Sequence, residues 1–366
     1  MKRGASGLAG VLAIDKPQGM TSHDAVNRVR RLSGERRVGH AGTLDPAASG
    51  LLFVGVGPAT RLSRYLSGAA KSYRARVVFG VATDTDDAQG RALGEASGGT
   101  AGLPAPSPAA VKALLDEGAA RAALDAVKGP ALQMPPAYSA IKKGGVTAYK
   151  AAREGKAIEL EPRPVHVYEA DLLGVGVGEC SVADGQGGRI AAEMPWWDIS
   201  FRVSKGTYIR AIARDLGVRC GCGAHLGALR RTAVGAFGVA GACTLDALEE
   251  RVADGAGLPW VDPAAVLGFP VLELADADCA AVSNGAAIAA PALLGEAGGD
   301  VAAAPAGRGE TGGGPVGGGL ARESPRDAEP SFVSCVAGGR LLAVYERDGV
   351  LLRPATVVPG GVAGVV

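Results

Sequence analysis

The sequence lacks a cysteine framework. Its six Cys, at 180, 220, 222, 243, 279 and 335, are irregularly spaced along 366 residues. Disulfide scaffolds belong to short secreted domains, so reduced thiols in a cytoplasmic protein are the expectation. A long apolar run is also missing. The longest uncharged stretch near the end, Cys279 to Gly295, is rich in Ala and interrupted by Asn284 and Pro291, which excludes a spanning helix. The start, Met-Lys-Arg and then a Gly-rich stretch reaching Asp15-Lys16, has neither the apolar core nor the cleavage site of a signal peptide. No phosphate-binding P-loop and no dinucleotide fingerprint occurs. Cys220, Cys222 and His225 lack an evident fourth zinc ligand. Asp84, Asp86 and Glu95 echo a calcium loop, but Ala88 and Gln89 stand where a ligand and the obligatory glycine belong. No metal or cofactor is therefore expected.

Net charge is nearly absent too, at +1, but its distribution is uneven. Residues 1–80 hold 13 Lys/Arg against 4 Asp/Glu, and 200–232 hold 7 against 1. A chain neutral overall and basic in two blocks suits a polyanion partner, although solvated helix faces would read the same way. What is abundant is Gly, 57 residues, with 22 Pro. That points to flexible segments between folded parts. Hydrophobic residues at 47% still leave enough apolar surface for two domains with real cores.

Strand-like and helix-like runs alternate without a regular βαβ rhythm. Gly10–Ile14, Leu51–Val56, Tyr73–Phe79 and Trp197–Val203 read as strands; Tyr73, Ala75, Val77 and Phe79 share the apolar face of theirs. Thr21 and Asp24 form a capping box for a helix to about Leu32. Ser107-Pro108 starts another that runs to Val127, and Tyr208–Leu216 a third closed by Gly217. Gly174–Gly188 extends a hairpin. The fold class is α+β: a mixed domain over 1–250, a connector over 251–269, and a small β-rich domain over 270–366. A Gly-rich loop at about 291–330 interrupts the last of these.

The densest chemistry lies in Arg36-Arg37-Val38-Gly39-His40-Ala41-Gly42-Thr43-Leu44-Asp45-Pro46. Pro46 biases Asp45 away from helix, so its carboxylate projects from a loop framed by cations. Such a group serves as nucleophile or base, or caps a backbone amide in an Asx turn. This block, together with Asp15-Lys16-Pro17-Gln18-Gly19, Gly57-Pro58-Ala59-Thr60-Arg61 and Lys71-Ser72-Tyr73-Arg74, resembles the TruB-type tRNA pseudouridine synthases. Gln133-Met134-Pro135-Pro136-Ala137-Tyr138-Ser139-Ala140, Ser204-Lys205-Gly206-Thr207-Tyr208-Ile209-Arg210 and Leu229-Arg230-Arg231 continue the likeness in family order. Arg61 departs from the family's usual Lys but keeps the charge.

The resemblance implies a catalytic domain around a central, mainly antiparallel sheet, in an enzyme that isomerises the T-loop uridine at tRNA position 55 without cofactor. It makes Asp45 the nucleophile and Arg210 the cation that holds it. Tyr73 would stack on the extruded base and offer its hydroxyl for proton transfer at C5. Tyr208 and Leu229 would complete the pocket, His40 would fill the space the flipped uridine leaves, and Lys16 would contact or shape the entrance. The small C-terminal domain would be a PUA-like RNA-binding domain. The partner is tRNA; no membrane and no obligatory protein partner is implied, and the enzyme would be a cytoplasmic monomer. Two other readings share the catalytic blocks: a guide-RNA-dependent synthase subunit, and an RNA chaperone without chemistry. The short stretch before Gly10 and the uncharged tail favour the stand-alone enzyme, and the intact Asp45, Tyr73 and Arg210 favour chemistry.

Overall fold

The structure, a computed structural model, describes residues 6–93, 107–156, 158–184, 187–290 and 332–363. The Gly-rich loop expected at 291–330 therefore lies outside the described residues. The chain falls into two compact units, Met1–Val261 and Asp262–Val366.

The first unit is built on one large mixed sheet. Its main strand order is Cys243–Thr244, Gly10–Lys16, Ala48–Val56, Ala224–Val234, Lys71–Phe79, Arg189–Val203, Arg163–Ala183 and Gly129–Gln133. Ala224–Val234 runs parallel to Ala48–Val56, and Gly10–Lys16 runs parallel to Cys243–Thr244. The other neighbours along this path are antiparallel. The fold is α+β, as the run of strands and helices predicts, and its central sheet is mainly antiparallel, as the resemblance implies. Residues 174–183 extend the hairpin of the two longest described strands, with Ala183 opposite Arg189.

Alternation along Lys71–Phe79 turns Tyr73, Ala75, Val77 and Phe79 into the core and leaves Arg74 and Arg76 exposed. That face packs with Trp197, Ile199, Phe201, Ile212 and Leu216 into one continuous apolar cluster. The capping box forms as expected: Thr21 accepts from Asp24 N at 3.1 Å and the Asp24 carboxylate accepts from Thr21 N at 2.9 Å, starting the helix Ser22–Ser33.

Two sequence expectations are corrected. The helix expected from Ser107 to Val127 is two helices, Pro108–Leu114 and Glu117–Asp125. Asp116 breaks the run because its carboxylate caps the second helix, accepting from Ala119 N at 2.8 Å. The freed Leu114 carbonyl accepts from Trp197 Nε1 at 2.7 Å. Gly217 does not close its helix, which continues from Ile209 to Arg219. This glycine is there for packing: a Cβ on it would lie 2.5 Å from Ala224 N.

The second unit is a five-stranded sheet in the order Val271–Glu273, Phe332–Ala337, Arg340–Asp348, Leu351–Ala363 and Ile288–Ala289. Its core gathers Val282, Val333, Cys335, Ala343, Tyr345 and Leu352. The buried Tyr345 hydroxyl donates to the Ala286 carbonyl at 2.7 Å, so the ring is buried without an unmet polar group.

Trp197 is 1% exposed, meets Phe79 at a 4.5 Å centroid distance and donates to Leu114. Trp197→Ala is expected to cost about 3–5 kcal/mol of stability, measured as a shifted urea midpoint.

Candidate active site

Strand register assembles the site. Ala224–Val234 lies between Ala48–Val56 and Lys71–Phe79, placing Leu229 beside Ala48 and Ala75, and Arg231 beside Gly50 and Tyr73. On its other side Tyr73 pairs with Phe201, whose strand ends at Val203. The chain then turns through 204–208 into the helix Ile209–Arg219. The loop carrying Asp45 enters the Ala48–Val56 strand just before these positions. Gly50 permits the close approach, with φ +106° and no room for a Cβ, which would lie 2.2 Å from the Arg231 carbonyl oxygen.

The outcome is a cavity of about 270 Å³ lined by Asp45, Tyr73, Tyr208, Arg210 and Leu229, with Lys71, Ser139 and Arg231 among the other walls. Five of the seven residues singled out from the sequence thus meet in one place. Arg210 Nη2 lies 2.9 Å from Asp45 Oδ2. The guanidinium is buried, and both of its terminal nitrogens are directed. Nη1 donates to the Thr85 carbonyl at 2.9 Å and Nη2 to the Tyr138 carbonyl at 3.0 Å. Asp87 Oδ2 stands 3.7 Å from Nη1. A lysine ammonium has no planar fork with which to meet acceptors in these separate directions. Asp45 itself is half exposed, its side chain 38% accessible. A buried, immobile cation therefore aims a solvent-accessible carboxylate into the cavity.

His40 lies in an adjoining cavity of about 450 Å³, together with Thr43, Tyr138, Tyr149 and the same Asp45 and Arg210. The ion pair is thus a wall shared by two cavities. The His40 Nδ1 atom is buried without a hydrogen-bond partner. Burial first, and then the Arg231 charge, hold its pKa below the ordinary value, so the ring is neutral at pH 7.

Lys16 is placed differently. It is fully buried, and its Nζ donates to the Pro17 carbonyl at 2.8 Å and the Met20 carbonyl at 2.9 Å. It does not line the cavity of Asp45. Instead it holds the turn that donates from Gly19 N to the Pro46 carbonyl at 2.8 Å, and so supports the Asp45 loop from behind. Burial lowers its pKa to about 8, partly opposed by the Asp45 charge. The Tyr208 hydroxyl is pushed up by burial and stays protonated at neutral pH.

Several residues that sequence reasoning passed over carry part of the geometry. Asp87 is one; Thr85 Oγ1 donates to its carboxylate at 2.7 Å and Gln89 N at 3.0 Å. Gln133 is another. Its side-chain amide donates to the Tyr208 carbonyl at 3.1 Å and accepts from Tyr208 N at 2.8 Å. That closed pair of bonds fixes the residue at the start of the Arg210 helix. Its position inside a quoted sequence block was the available signal.

Among solved structures, a chain of the H/ACA RNP bound to a substrate RNA containing 2′-deoxyuridine matches with TM-score 0.56 at 21% identity, covering 95% of this chain and 84% of that one. A chain of a Cbf5-Nop10-Gar1 complex matches with TM-score 0.57 at 22% identity, over 97% and 87%. These matches concern the fold. At the level of sequence, residues 30–209 match the family model for the N-terminal domain of the TruB family pseudouridylate synthases. Residues 210–258 match that for the C-terminal domain of tRNA pseudouridylate synthase B.

The protein is therefore an enzyme of the pseudouridine synthase class, an isomerase. Within that class the chain belongs to the TruB family. The tRNA pseudouridine synthase B of Mycobacteroides abscessus is 43% identical over 283 residues, 77% of this chain and 85% of that protein. The protein of the same name from Mycobacterium tuberculosis is 36% identical over 357 residues, 96% and 98% of the two chains. That from Thermobifida fusca is 44% identical over 278 residues, 75% and 85%.

Because Lys16 titrates near 8 in the fold and near 10.5 when free, the unfolded chain holds the extra proton between those values. Stability relative to a Lys16→Met variant is thus expected to rise with pH from about 8 to 10.5 and to be flat below 8. Urea unfolding of both proteins across that range measures it. A pH-independent difference would mean that the carbonyl bonds hold the ammonium fully charged.

Proposed function

We propose that this chain converts uridine to pseudouridine in the T-loop of tRNA, drawing the base out of the RNA stack and using Asp45 as nucleophile. The observation that carries the reading is the 2.9 Å pair between the half-exposed Asp45 and the buried Arg210 at the wall of a nucleotide-sized cavity. The reaction breaks the bond from the ribose C1′ to N1 of uracil, turns the base, and joins C1′ to C5. The C5 proton leaves and N1 gains one, so no redox step or group donor is needed.

A stacked uracil hides the atoms concerned, and unstacking it costs a few kcal/mol. Tyr73 faces the cavity from the apolar side of its strand and offers a ring for the extruded base, an interaction of about 1–3 kcal/mol. Tyr208 and Leu229 enclose the base further, excluding water from the glycosidic bond. Arg210 cannot turn away from Asp45 without abandoning its two carbonyl acceptors, so it holds the carboxylate oriented while the carboxylate engages the nucleotide and leaves again. The Tyr73 hydroxyl takes part in the proton transfer at C5. His40, in the neighbouring cavity, occupies the gap left in the RNA loop. The two basic blocks supply phosphate contacts that do not depend on sequence. The β-rich second unit acts as a PUA-like RNA-binding module.

The relatives named tRNA pseudouridine synthase B support a stand-alone tRNA enzyme, since they match at 36–44% identity. The chains from H/ACA assemblies match at 21–22%.

Purified protein incubated with an unmodified tRNA transcript and no other RNA is expected to yield pseudouridine at the T-loop uridine, mapped by position. Tight binding without product would point to a guide-dependent subunit or a chaperone. Asp45→Asn should lower turnover by on the order of 10⁴-fold or more and leave tRNA affinity within a small factor in filter binding. Affinity should also fall at least about 100-fold between about 50 and 200 mM salt, the slope for roughly four neutralised phosphates. A flat response would deny the basic blocks their role.

A further inference from the structure

The charges around the cavity do not balance. Its lining holds three cations, Lys71, Arg210 and Arg231, against one carboxylate, Asp45, and that carboxylate is already claimed by Arg210 at 2.9 Å. Lys71 is 8% exposed and Arg231 1%. Buried cations are normally matched by carboxylates, because removing an unpaired charge from water is costly. Among the described residues neither Lys71 nor Arg231 has a carboxylate within 4.0 Å.

Both side chains are instead held by backbone carbonyls. Lys71 Nζ donates to Ser67 O at 2.7 Å and Ala69 O at 2.6 Å. Arg231 Nε donates to Leu51 O at 2.7 Å and Nη2 to Gly42 O at 3.1 Å. These bonds fix the two cations without neutralising them. They leave one N–H of Lys71 and three of Arg231 unclaimed. The two side chains also converge. A Cβ built on Gly42 would lie 3.7 Å from Arg231 Nη1 and 3.9 Å from Lys71 Cε, so both border the space that this glycine leaves open, three residues before Asp45. Burial first, and then the Arg231 and Lys205 charges, lower the Lys71 pKa to about 8.

We infer that Lys71 and Arg231 form a receptor for one phosphodiester of the RNA strand, the one directly flanking the nucleotide whose base enters the cavity. This rests on the proposed reading of the site. A neutral uracil cannot offset the two surplus charges, whereas the phosphate attached to its own ribose arrives with it. Fixed cations and a directed guanidinium suit phosphate oxygens. The subsite would set where the ribose stops, and so how its glycosidic bond lies against Asp45. Preassembled donors of this kind bind without reorganising when the nucleotide arrives.

The test changes the substrate before it changes the protein. T-stem-loop RNAs carry a single neutral methylphosphonate either 5′ or 3′ of the target uridine. Their affinity and single-turnover rate are measured with the full chain and with Lys71→Gln. One of the two replacements is expected to weaken binding to wild type by roughly ten- to a hundredfold. The same replacement should cost Lys71→Gln severalfold less than it costs wild type, because only Arg231 is left to lose its phosphate contact. Two replacements that bind like unmodified RNA overturn the inference, and the wild-type arm alone delivers that result if the variant does not fold. An equal penalty in wild type and Lys71→Gln overturns it as well. Competition by inorganic phosphate with no sensitivity to methylphosphonate would mark a free-anion site and overturn the assignment to RNA. Absence of pseudouridine in unmodified RNA would instead defeat the reading of the site itself.

Discussion

Everything at the site is arranged around the immobility of one guanidinium. Arg210 sits in the first turn of its helix, where the backbone dipole disfavours a cation, and it is buried. Two carbonyls and two carboxylates compensate it: Thr85 O, Tyr138 O, Asp45 and Asp87. A charge placed so unfavourably for stability fixes the direction of the Asp45 carboxylate. The carboxylate keeps solvent access and orientation together, which a freely rotating surface aspartate cannot do.

The same economy recurs around the cavity. Gln133 spends a whole side-chain amide on the backbone of Tyr208, and Lys16 spends its ammonium on the turn behind the Asp45 loop. Neither touches the space where a base would lie. Both restrict the few angles through which Tyr208 and Asp45 could wander. In reactions where the protein contributes position and charge rather than a cofactor, such restraint is what sets the rate.

Much of this was legible in the sequence. Asp45 stood out because a proline follows it and glycines and cations surround it. Tyr73 was placed on the inner face of its strand by simple alternation, and the capping box of the first long helix was readable from Thr21 and Asp24. What sequence could not show was register. Arg231 and Lys71 look like two more basic residues until pairing across three strands sets them at one cavity wall. Asp87 lay hidden in what resembled a failed calcium loop. Gly217 read as a helix terminator because glycine usually ends helices, and only the approach of Ala224 shows that it is needed for space. Asp116, inside an apolar periodicity, was overlooked as a cap for the same reason: local rhythm spoke louder than a single polar residue.

The middle position of Ala224–Val234 has a consequence for how the enzyme is made. The strands on either side of it, Ala48–Val56 and Lys71–Phe79, are synthesised long before it. Until Ala224–Val234 has been made, those two strands lack the partner that joins them in the finished sheet. Arg210, Leu229 and Arg231 are added only when most of the unit has been made. A chain stopped before Ala224 lacks Leu229 and Arg231, two walls of the cavity, and leaves strand edges of the kind that pair with other chains. A complete cavity is thus a mark that the chain has been made at least as far as Arg231.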